Sequence, residues 1–102
     1  MNLKRKFVIS AIHYDPDRTF IEKVKAHEVR PEGELSSGNV IDRSLLVGLL
    51  LGGNPVWTLD NDPANPMKLG KGVHRVYDEE HLFLSTDPME RRGDNLGKLP
   101  EF

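Results

Sequence analysis

Four histidines, His13, His27, His74 and His81, are the first residues to weigh, because imidazole binds metals and titrates nearest neutrality. No pair has the i, i+4 helical spacing or the clustered carboxylates of a known metal motif. His13 and His27 fall on a predicted hairpin, across which they could approach each other. His74 and His81 flank a predicted turn, and counting back from it sets His81 opposite Tyr77 rather than His74. The reading is half-exposed strand histidines without a metal. Asp78-Glu79-Glu80 places three acids in one turn. Acid–base work needs burial to split carboxylate pKa values, and acids at a turn tip stay solvated and ionised. Leu69-Gly70-Lys71-Gly72 offers amides and a lysine suited to a phosphate, but it lacks the G-x-x-x-x-G-K-[ST] spacing and opens no helix. It reads as the lead-in to a strand. No serine sits in a nucleophile elbow. The absence of cysteine excludes disulfides, thiolate zinc, iron–sulfur clusters and cysteine nucleophiles. These residues nominate neither a catalytic set nor a cofactor.

Binding is better provided for. Trp57 is the only tryptophan. It suits the core with its indole N–H at the edge, or a stacking platform with Arg75 beside it. Thr86, Asp87, Asp94 and Asn95 are candidates to line a polar ligand site, and with Trp57, His74 and Arg75 they make up the candidate ligand set. A structural reading stands beside it, in which Asp94 and Asn95 bond local amides and start a turn. Residues 1–30 carry seven basic against four acidic residues, a modest basic patch if they form a hairpin. The whole chain holds 14 basic and 16 acidic residues, which disfavours nucleic-acid binding through counterion release.

These side chains must be positioned by a small fold. A chain of 102 residues and 11.6 kDa fits one domain. Such a domain buries roughly 65% of its unfolded surface, enough for one core. Residues 6–14 are rich in β-branched and aromatic types and predict a strand. Asp15-Pro16-Asp17 supplies turn chemistry. Residues 19–29 fit a helix capped by Asp17 and stopped by Pro31, or a strand returning onto the first; the short turn favours the strand. Residues 30–39 read as a loop. Asp42 then caps a helix carrying Leu45, Leu46, Leu49 and Leu50 on one face, closed by Gly52, Gly53 and Pro55. Strands are predicted at Val56–Leu59, at 72–77 and at 81–86. The fold class is α+β: a mainly antiparallel sheet of about five strands in the order β-β-α-β-β-β, with one helix packed on a face.

The helix has an apolar surplus. Leucine and valine cover well over half its circumference, broken by Arg43, Ser44 and Gly48, whereas one sheet needs a stripe of about 100°. The surplus calls for a second cover. One candidate is the segment 87–102, whose Leu96, Leu99 and Phe102 recur at spacing three. The other is the same helix of a second copy, with Gly48 allowing close approach. The candidate interface and docking residues are therefore Leu46, Val47, Gly48, Leu50, Leu51, Leu96, Leu99 and Phe102. The longest apolar run near the start, Phe7–Ile12, is too short for an export signal, and none approaches the 20 or so residues of a membrane span. A cytoplasmic location follows as the expectation.

Phe83 to Pro88, together with Asp94-Asn95-Leu96 followed by Leu99-Pro100 and Phe102, resembles the ending of a family of short bacterial proteins of unknown function. The resemblance extends upstream through Ile12, Ile21–Val24, Gly53 and Val56–Thr58, and covers most of the chain. Members carry a basic residue where this sequence has Ser85, which removes a group suited to anion binding there. The resemblance implies a strand at residues 19–29 and supplies no catalytic residue. Taken together, the sequence points to a small non-enzymatic binding module for a protein partner or a small anion such as a nucleotide. The rival is an enzyme acting on a phosphorylated or nucleotide substrate through His74, Arg75, Asp87 and Asp94.

Overall fold

The computed structural model describes residues 5–18, 20–59, 69–77, 82–86, 94–96 and 99–102. Along the chain these form β1 (Lys6–Tyr14), β2 (Ile21–Val29), β3 (Asn39–Asp42), α1 (Arg43–Leu51), β4 (Val56–Leu59), β5 (Leu69–Gly72), β6 (His74–Tyr77) and β7 (Leu82–Ser85). The class is α+β. A five-stranded sheet has the order β3-β2-β1-β4-β5, and β6 pairs with β7 in a separate ribbon.

Local chemistry explains the first hairpin. The Asp15 carbonyl accepts from Arg18 N at 3.0 Å, and Asp15 N donates to Phe20 O at 2.9 Å, so the chain reverses directly into β2. The two strands run antiparallel from Lys6↔Val29 to Tyr14↔Ile21. α1 begins where Asp42 accepts from Leu45 N at 2.8 Å, satisfying a free amide of the first turn.

Three elements differ from the expectation. Asn39–Asp42, where no strand was expected between the loop at 30–39 and the Asp42 cap, pairs with Lys23–Ala26 as an edge strand. The strand expected at 72–77 is two strands in two sheets: β5 pairs with β4, and Val73 N bonds Val56 O at 2.8 Å before the chain leaves for β6. Leu69–Gly72, expected as a flexible lead-in, is therefore itself a strand. Finally, β1 and β4 are parallel, Phe7↔Val56 to Ile9↔Thr58, which requires a long crossover and receives one containing α1.

The core gathers Ile9, Ile12, Val24, Leu46, Val56, Leu84 and Leu96. Leu46 is the one fully buried residue of α1; Val47 and Leu50 are half-buried against the core, and Leu51 is 61% exposed. The helix thus buries a narrower stripe than its composition suggested. Gly48 meets no atom within 4 Å of where a Cβ would stand, so this flank of α1 is open in the single chain.

The described C-terminal residues lie against the body. Asn95 N donates to Leu84 O at 2.8 Å and Thr86 N to Asn95 O at 3.0 Å, a short parallel addition to β7. Ile12 N donates to Pro100 O at 2.8 Å and Phe102 N to Ile12 O at 3.0 Å. Arg18 clamps this segment through two bonds to Glu101 of 2.6 and 3.0 Å. That bond holds the Glu101 carboxyl below its ordinary value of 4.5. Tyr14, beneath the Arg18 guanidinium, is raised from 10.0 by burial, with the nearby cation opposing the shift. No described helix is long and apolar enough to cross a membrane.

Candidate anion-binding cleft

The register Lys6↔Val29 and Phe7↔Glu28 sets the start of β1 beside the end of β2. The chain then folds back at once: Gly33 N donates to Arg30 O and Arg30 N to Glu34 O, both at 2.8 Å. Pro31 fixes φ in this turn, and Gly33 sits at φ 91°, a conformation other residues adopt only under strain. Between strand ends and turn lies a cleft of about 680 Å³, walled by Arg5, Lys6, Glu28, Val29, Arg30, Pro31 and Gly33. Its volume falls within the usual range of small-ligand sites. Three cations face one carboxylate, and Glu28 is already 3.8 Å from Arg5 Nε. Among the described residues, no carboxylate pairs with Lys6 or Arg30.

A second groove, of about 280 Å³, adjoins the first. β1, β2 and β3 contribute Phe7, Ala26 and Ile41, while α1 contributes Leu45 and Leu49. Arg5, Glu28, Ser36 and Asn39 complete the lining. Ser36 is pinned to the sheet, its N–H donating to Glu28 O at 2.9 Å and its Oγ accepting from Glu28 N at 2.8 Å.

On the opposite sheet face, His27 Nδ1 lies 2.9 Å from the Ser36 carbonyl, which can only accept. Nδ1 therefore carries the proton, and Nε2 accepts from Ser10 Oγ at 2.8 Å. This is the geometry of a hydroxyl beside its base. With both nitrogens occupied, the ring ties the loop at Ser36 to β1. Pairing runs from His27 through Val8 and Trp57 to Gly72, one row across four strands.

The sequence-nominated residues separate into three places. Trp57 and His74 both border Gly72: a Cβ there would stand 3.9 Å from the indole Cδ1 and from the imidazole Nε2. Arg75 does not join them but donates to Tyr77 Oη at 3.2 Å. Asp94 lies inside, its carboxylate accepting from Ile21 N at 2.6 Å, Leu84 N at 2.7 Å and both guanidinium nitrogens of Arg43. Its amide partners are distant in sequence, where local ones were expected. Thr86 and Asn95 meet through their backbones. His13 pairs with Lys23 and His27 with Val8, so the two do not meet. Leu82 stands opposite Tyr77, one position from the expected His81, and His74 faces Ser85. Asp87, His81 and Asp78–Glu80 lie outside the described residues.

Of the docking candidates, Leu96 is buried, Leu99 packs partly on the core, and Phe102 remains 48% exposed with its ring 5.7 Å from that of His13. Among the described residues no three His, Asp or Glu side chains group to hold a metal ion. The cleft cations escaped the candidate ligand set, although the basic excess of residues 1–30 was their signal. Arg43 had no such signal, since its partner is 51 positions away. No family model, curated protein or solved structure matches the chain.

Proposed function

We propose that the protein is a small binding module for an anion, held in the cleft between the β1 start and the Arg30–Glu34 turn. The observation that carries this reading is the 680 Å³ cavity lined by Arg5, Lys6 and Arg30. Guanidinium groups present forked donors that match carboxylate and phosphate oxygens, and the ammonium adds a point charge. The rival enzymatic reading loses support because Asp94, one of its four residues, spends its carboxylate on bonds within the chain. Nucleic acid is a poorer ligand for a chain of net charge −2. The module works in the cytoplasm, and a protein partner or second copy docks on the open flank of α1.

Calorimetric titration with inorganic phosphate, acetate and adenosine monophosphate tests the cleft. Saturable binding of at least one anion is expected, weakening as salt rises and lost in Arg5→Ala and Arg30→Ala. Binding indifferent to both substitutions, or no binding of any of the three, overturns the assignment.

A further inference from the structure

We infer that the anion is amphipathic, its charged head in the cationic cleft and an apolar chain or ring in the adjoining groove. This rests on the anion-binding reading of the cleft and adds the class of ligand. The two cavities are not independent, because Arg5 and Glu28 line both. Their side chains stand at the boundary 3.8 Å apart, beyond hydrogen-bond length, and are 70% and 42% exposed. An ion pair so loose and solvated contributes little and can part to let a ligand pass.

Beyond that boundary Phe7, Ala26, Ile41, Leu45 and Leu49 add hydrocarbon to the lining, beside the polar Ser36 and Asn39. Leu45 is 53% exposed although its neighbour Leu46 is fully buried, so the groove offers apolar surface that this chain leaves uncovered. A wholly polar anion would leave that surface wet. A neutral hydrocarbon would leave Lys6 and Arg30 unanswered. A single-chain carboxylate or phosphate monoester satisfies both halves through charge and apolar complementarity at once.

Calorimetry with octanoate, acetate and octanol on the full chain separates the possibilities. Octanoate is expected to bind at least about tenfold tighter than acetate, each methylene removed from water adding to affinity. Leu45→Ser, at an exposed position, should bring octanoate down to the acetate level and leave acetate unchanged. Arg30→Ala should weaken both. If octanoate and acetate bind equally in the cleft, the amphipathic assignment falls while the anion site stands. If neither binds while phosphate or adenosine monophosphate does, the amphipathic assignment falls and the anion site stands; if no anion binds, both fall. Octanol binding as tightly as octanoate also overturns the inference, since the head would then be irrelevant.

Discussion

Asp94 and Arg43 form an ion pair in which the carboxylate is completely shielded and the guanidinium 22% exposed. Asp94 also receives the amides of Ile21 and Leu84, and Arg43 donates to the carbonyls of Ile21 and Leu82 at 3.2 and 2.7 Å. The guanidinium lies 5.1 Å from the centre of the Phe20 ring, which stacks on Phe83 at 5.6 Å. One pair therefore joins β2, α1, β7 and the C-terminal segment.

Removing Asp94 leaves a largely buried cation and two amides without partners. Asp94→Ala should cost about 3–5 kcal/mol in urea unfolding, a large part of the 5–15 kcal/mol typical of a domain. Replacing both members with apolar residues, Arg43→Met with Asp94→Leu, should not restore wild-type stability. The Ile21 and Leu84 amides would still lack an acceptor, at roughly 1–3 kcal/mol each. Full recovery would show that the carboxylate's backbone bonds contribute little.

Adjacent leucines of α1 should respond very differently. Leu46→Ala is expected to cost about 2–5 kcal/mol through lost burial and the cavity left behind. Leu45→Ala, at a position 53% exposed, should stay within about 0.5–1 kcal/mol. Equal losses in denaturant unfolding would place the buried face of the helix elsewhere.

Gly33→Ala isolates a backbone cost. A Cβ there meets nothing within 4 Å, so sterics with neighbours are absent, but φ is 91°. A loss of about 1–2 kcal/mol is expected from the unfavourable backbone region alone. Because the turn walls the cleft, anion affinity should fall as well; unchanged stability would mean that the turn adopts another conformation at no cost.

The Glu101 carboxyl, held below 4.5 chiefly by its bond from Arg18, predicts acid sensitivity of the docked segment. The folded state binds that proton less tightly than the unfolded chain, so the contribution is complete above 4.5 and lost as pH falls through the depressed folded value. Thermal midpoints of wild type and Glu101→Gln should differ at pH 7 and converge as pH falls below 4.5 and through the depressed folded value. A gap that stays constant across this range would remove the ion pair from the account.

Elements with their own local chemistry were legible in advance. The β-branched run of β1, the Asp15 turn and the Asp42 cap each announce themselves within a few residues. β3 and β5 do not: Asn39–Asp42 is four residues between a loop and a cap, and Leu69–Gly72 contains two glycines. Both are strands because β2 and β4 offer them an edge, a tertiary decision that overrides propensity. The site shows the same division. Asp94 stands out in a motif, but its partner Arg43 is revealed only by the fold. The cleft exists because the β1–β2 register brings Arg5 and Lys6 to Arg30, and composition records the charge without the meeting.

Both backbone groups of Ile12 on the side left by β4 are bonded to Pro100 and Phe102, some ninety positions later in the chain. While the polypeptide emerges from the ribosome, that stretch of β1 keeps a bare hydrogen-bonding edge, and Arg43 has no counter-ion until Asp94 follows. The nascent chain therefore cannot complete its structure piecemeal. Its stability is gained late in synthesis, once the residues that cover this edge have been made.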